Sequence, residues 1–140
     1  MIYYKTEEEI EYLRRCNQMV SATLAEIGKM LKPGVTTMDV DKTAEEFIRD
    51  NNGVPGFKGY EGFPGSVCVS LNEEVVHGIP STERVIQDGD IVSVDCGVVI
   101  EGFNGDSAFT FPVGNVKQEK LDLMRATREA LFKGIAQAIA

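Results

Sequence analysis

A chain of 140 residues with 43% hydrophobic side chains can bury a core of its own, and is short enough to be one domain or part of one. Its formal net charge of −8, from 14 Lys and Arg against 22 Asp and Glu with no basic stripe, argues against nucleic acid or an anionic membrane surface as partner. Residues 1–9 lack the basic and apolar regions of a signal peptide, and no uncharged apolar run approaches a bilayer span, so the sequence reads as a cytoplasmic type of chain.

In chain order, the first signal is Thr6 followed by Glu9, a capping box that opens a helix. Its apolar stripe runs Ile10, Leu13, Asn17, Val20, Leu24, Ile27 and Leu31, and the run Lys32, Pro33, Gly34 stops it. A second helix is predicted from near Thr37, burying Val40, Ala44, Phe47 and Ile48 until Asn51, Asn52 and Gly53 end it. Residues 54–65 carry four glycines and two prolines around Phe57, Tyr60 and Phe63, which makes them an aromatic loop. A strand is predicted over 66–71, then a turn at 72–74 and a second extended piece ending at His77 to Pro80. The Asp88, Gly89, Asp90 turn feeds a hairpin over 91–111, and Val113 and Gly114 break its second strand. A final helix from near Gln118 places Leu121, Met124, Leu131, Ile135 and Ile139 for burial, and no Gly, Pro or polar C-cap follows. The order predicts an α+β class with an antiparallel sheet. Cys16, Cys68 and Cys96 are widely spaced and without CxxC patterning, so no disulfide framework or zinc finger is expected, and at least two of them read as small buried hydrophobes.

The hairpin carries Asp95 and Asp106. Successive strand residues alternate between faces, so Val92, Val94, Cys96 and Val98 form an apolar face while Asp95 shares the other with Ser93 and Gly97. On the second strand, Asp106 shares its face with Asn104, Ala108 and Thr110, opposite Phe103, Phe109 and Phe111. A two-residue loop at Ile100 and Glu101 would set Asp95 directly across from Asp106, with Cβ atoms about 5 Å apart, and a bulge at Gly102 would shift that register by one. Like charges so placed repel, and no basic residue lies between positions 85 and 116. The spacing leaves two readings open: a solvated pair on an exposed face, or a pair that binds a divalent cation.

Four segments together carry a resemblance. They are Gly59 to Pro64 (GYEGFP), Ser66 to Pro80 (SVCVSLNEEVVHGIP), Asp88 to Asp95 (DGDIVSVD) and Gly102 to Asp106 (GFNGD). In this order and spacing the chain closely resembles the type I methionine aminopeptidases over residues 3 to 140. The resemblance implies half of a pita-bread fold, with an antiparallel sheet packed against helices on one face. It also implies removal of the initiator methionine from a peptide or nascent chain beginning with Met, using one or two divalent ions, whether Co, Mn, Fe, Ni or Zn. Asp95 would be a terminal metal ligand and Asp106 a bridging one, holding ions that activate a water and polarise the scissile carbonyl. His77 would be the catalytic residue that bonds the substrate amide. Phe57, Tyr60, Phe63 and Cys68 would receive the methionine side chain, a fit for a flexible thioether. Asn72 and the backbone near Glu74 match a loop that can hold a monovalent cation.

Two departures from the family pattern stand out. Cys96 and Gly97 follow Asp95 where the family often has Val and Thr, which removes a hydroxyl next to the site. Family members also continue well beyond this length and supply one His and two Glu ligands there. The implied organisation is therefore residues 1–140 as the N-terminal portion of a single catalytic domain, truncated before its second half. On that expectation the chain alone has little or no peptidase activity and associates with itself through the uncovered surface. The rival readings are another pita-bread hydrolase, such as a Pro-specific dipeptidase or creatinase relative, or a non-enzymatic binding module on the same fold.

Overall fold

The computed structural model describes residues 2–138. Helix α1, Glu7–Met30, begins at N-cap Thr6: the Thr6 side chain accepts from the Glu9 N–H, and Glu9 reaches back to the Thr6 N–H. Helix α2, Thr37–Asp50, has the same reciprocal cap between Thr36 and Asp39. Each box satisfies two backbone donors that a helix start leaves without partners, which is why both helices open at a threonine. Strands β1 (Val54–Pro55), β2 (Val67–Leu71), β3 (Ile91–Ile100) and β4 (Phe103–Pro112) follow, then helix α3, Gln118–Ile135.

The sheet is antiparallel throughout. β3 is its centre, with β4 along one edge and both β1 and β2 along the other, at opposite ends of β3. Val92, Val94, Cys96 and Val98 of β3 and Val67 and Val69 of β2 form the inner face of the sheet. They pack with Val20, Leu24 and Ile27 of α1 and Val40, Ala44 and Ile48 of α2. The helices thus cover one face, the side to which the even residues of β3 point, and Asp95 stands on the other.

Several local expectations change. Cys16 takes a core place on α1, fully buried with its thiol donating to the Phe103 carbonyl at 3.1 Å, while Ile10 is 40% exposed. All three cysteines are buried, in keeping with their reading as small buried hydrophobes. The aromatic loop contributes the two residues of β1 and a 3₁₀ turn over Tyr60–Gly62. Residues 75–80 form no strand; Gly78 ties them to β2, its carbonyl accepting the Val69 N–H at 2.9 Å and its N–H donating to the Ser70 hydroxyl at 3.1 Å. Helix α3 buries none of its described residues: Leu121 and Met124 are half-buried, while Leu131 and Ile135 are 60% and 57% exposed. The predicted burial of Ile139 lies outside the described residues. Among the described residues, no helix is long and apolar enough to cross a membrane.

Candidate functional site

The β3–β4 hairpin turns at Glu101 and Gly102, with φ of +50° and +80°, and pairs Ile100 with Phe103. Two consecutive left-handed residues make the turn whose twist suits adjoining strands, and glycine supplies the second at no steric cost. The loop therefore sits one residue later than the sequence suggests, and the ladder shifts by two. Asp95 faces Ala108 and Asp106 faces Gly97, so the aspartates are diagonal neighbours and not a direct pair. A shift of two keeps every side chain on its face. On that same face, the hydroxyls of Ser93 and Thr110 meet at 2.8 Å across the ladder.

Asp95 is half-buried, and its carboxyl is pushed above the usual range by burial, then by the charge of Asp106 and a hydrogen bond shared with it. His77 and the Cys96 N–H act in the opposite direction. Among the described residues neither aspartate has an ion-pair partner. Asp106 is set from behind by α1, where the Asn17 side-chain oxygen accepts its N–H at 3.3 Å.

Both aspartates open into a cleft of about 660 Å³ that Phe57, Tyr60, Phe63, Cys68, His77, Ile79 and Asn104 also line. The aromatic loop reaches this place because α2 holds its far end. Buried Asp41 accepts the N–H groups of Ser66 at 2.6 Å and Val67 at 3.0 Å, and Glu45 pairs with Lys58 and accepts the Ser66 hydroxyl at 3.1 Å. At the near end Gly56 donates to the Gly97 carbonyl at 2.8 Å, and the Phe57 ring lies on Gly97 itself. A Cβ at position 97 would stand 2.5 Å from Phe57 Cε1, so the missing side chain is what admits the ring. Cys68, paired with Asp95 across the β2–β3 ladder, has its thiol pushed up to about 11 by burial, then by Asp95, Asp106 and Asp41.

His77 projects into the cleft from the irregular segment 72–80, with a left-handed φ of +59°. Asn72 and Glu74 do not line the cleft. The Asn72 side-chain oxygen accepts from Lys120 at 2.7 Å, and its amide donates to Asp90 at 2.8 Å. Glu74 pairs with Arg84. The two residues matched to a monovalent-cation loop thus have side chains already engaged by this chain's own cations. Asn104 was legible on the face of Asp106 from alternation. Asn17, read as one more position of the α1 stripe, gave no sign that it would meet the Asp106 backbone.

The aspartate pair fits a divalent cation in chemistry and charge: hard carboxyl oxygens whose mutual repulsion is eased by His77 but, among the described residues, by no Lys or Arg ion pair. It is a partial donor set, because among the described residues no group of three or more His, Cys, Asp or Glu is placed to hold a metal ion.

The sequence profile of metallopeptidase family M24 matches residues 11–140. A methionine aminopeptidase of Clostridium acetobutylicum is 50% identical over 139 residues, which are 99% of this chain and 56% of that protein. The crystal structure of a methionine aminopeptidase from Thermotoga maritima superposes with a TM-score of 0.95 at 44% identity, covering 98% of this chain and 55% of that one. An Xaa-Pro dipeptidase from Bacillus anthracis superposes less well, with a TM-score of 0.68 at 27% identity over 84% of this chain and 32% of that one. The chain thus spans about half the length of the curated relatives it matches. With the α+β half of a pita-bread fold, the carboxylate pair on its open face and a profile match over nearly its whole length, this chain belongs to metallopeptidase family M24.

Proposed function

We propose that this chain supplies part of the active site of a cytoplasmic, metal-dependent aminopeptidase that removes N-terminal methionine. The observation that carries the reading is convergence: the aspartate pair, the chain's sole histidine and an aromatic, thiol-lined cleft meet in one place. Asp95 and Asp106 would hold one or two divalent ions of the Co, Mn, Fe, Ni or Zn class. When bound, such an ion polarises a carbonyl and activates water for hydrolysis. The chain's own groups orient the substrate. His77 lines the same cleft as the carboxylates, and there its imidazole would bond the amide of the residue to be released. Phe57, Tyr60, Phe63 and Cys68 enclose a space suited to a thioether side chain, and burial keeps the Cys68 thiol protonated there.

Two carboxylates bind a divalent ion weakly, so residues 1–140 work as a portion of a larger catalytic domain, and the chain alone releases little or no methionine. A test joins it to the part of the Clostridium acetobutylicum relative that the match leaves uncovered. With Mn or Co added, this chimera is expected to cleave Met-Gly-Gly and to lose that activity on Asp106→Ala. Cleavage of Xaa-Pro dipeptides in preference, or activity that survives Asp106→Ala, would overturn the reading.

A further inference from the structure

Segment 72–80 has no regular secondary structure, yet it must hold His77 in a left-handed conformation at the cleft wall. Left-handed backbone at a residue other than glycine is costly and persists where surrounding contacts impose it. Contacts at both ends of the segment meet on Arg84, which lies outside it. One guanidinium nitrogen, Nη2, pairs with the Glu74 carboxylate at the start of the segment. The other, Nη1, donates to the Ile79 carbonyl at its end, at 2.7 Å. The same Glu74 oxygen accepts the Leu71 N–H at 2.8 Å, which ties that end to β2.

Arg84 is itself anchored to α2. Its carbonyl accepts the Thr37 N–H at 2.9 Å, and the buried Thr37 hydroxyl accepts the Ser81 N–H at 2.9 Å. On the inner side Gly78 lies against β2 so closely that a Cβ there would stand 2.1 Å from the Val69 carbonyl oxygen. The Gly78 N–H donates to buried Ser70 at 3.1 Å. The outward residues Val75 and Val76 are 88% and 61% exposed and contribute no packing that could fix the loop.

We propose that Arg84 is the positioning residue of the site: with Glu74 it clasps the two ends of segment 72–80 and so sets His77 over Asp95 and Asp106. A planar guanidinium reaches a carboxylate and a carbonyl at once, whereas a lysine ammonium on a thinner stem lacks that fork. The half-exposed ion pair contributes little to global stability, so the clasp acts on the loop and not on the core. This inference rests on the functional reading of His77, but its test needs neither metal nor substrate.

The chain has one histidine, so the His77 Hε1 proton gives a single NMR signal. In Arg84→Met, that signal is expected to move to the random-coil position and to narrow about twofold as the loop gains fast motion, while the Val92 and Val94 methyl shifts stay in place. Arg84→Lys should give an intermediate His77 shift. Glu74→Gln should loosen His77 as well, since it keeps an acceptor for Leu71 but not the charge. A His77 signal in Arg84→Met that overlays the wild type overturns the proposal, as does a loss of core methyl dispersion in step with it in both Arg84 variants. Should the Met variant fail to fold, the Lys variant decides by the same two readings. Addition of Mn²⁺ to the wild-type chain then reports on the metal site separately: absent broadening of His77 counts against the aspartate reading and leaves the clasp standing.

Discussion

Asp95 and Asp106 stand diagonally across the β3–β4 ladder, each facing a residue with little or no side chain, Ala108 and Gly97 respectively. The diagonal sets the two residues about 7–8 Å apart at the backbone, and the side chains close that gap to a shared hydrogen bond. Mn²⁺ is expected to bind this chain weakly, with a dissociation constant of about 10⁻⁴ to 10⁻³ M, by analogy with the weak end of oxygen-ligand cation sites, whose affinity follows ligand charge and rigidity. Asp106→Asn should weaken it at least about tenfold, since a charged ligand is lost. Titration followed by electron paramagnetic resonance of free Mn²⁺ measures both, and equal affinity in the two chains would remove the aspartates from the site.

Gly97 and Phe57 are coupled by space. Gly97→Ala puts a methyl where the ring lies, and a forced contact of that kind costs about 1–3 kcal/mol. In a Phe57→Ala background the same change should cost little. Urea denaturation of the two single variants and the double variant yields the coupling, expected to exceed about 0.5 kcal/mol for residues in contact. Additive losses would mean that the ring does not occupy this place.

Asp41 links stability to pH. Its carboxyl lies above the usual range because burial outweighs the two N–H groups from Val67 and Ser66 and the charge of Lys58. A folded-state value raised above the unfolded one means that the folded state holds the proton more tightly. Its contribution is therefore present in full below the unfolded value of 3.8 and is lost as pH rises through the raised folded one. Asp41→Asn keeps the oxygen that accepts both N–H groups and should flatten the acid-side dependence of the melting temperature. Asp41→Ala leaves two buried donors bare and should cost about 1–3 kcal/mol for each. If the Asn and Ala variants melt alike, the two hydrogen bonds are not what the site depends on.

Helix α3 presents Leu123, Leu131, Phe132 and Ile135, each more than half exposed. An apolar stripe of this kind drives association. Light scattering after gel filtration should show a mass above the monomer that rises with concentration, and Leu131→Lys with Ile135→Lys should return the chain to a monomer. A clean monomer for the unmodified chain at high concentration would contradict this.

Features that depend on neighbours along the chain are legible in the amino-acid order alone. Thr6 with Glu9 starts a helix because the capping atoms lie within one turn, and strand alternation assigns Asp95 and Asp106 to one face whatever the register, provided the shift is even. The α+β order and the motif segments were legible for the same reason, and so was the grouping of His77 with the aromatic loop once those segments were compared with a family. Features that depend on contacts between distant segments emerge only with the packed fold. It laid Phe57 on Gly97, brought Asn17 to the backbone of Asp106, and turned Arg84 onto Glu74 and Ile79. It also left the periodic stripe of α3 without a core to join, because periodicity states which residues share a face and not whether another surface meets them.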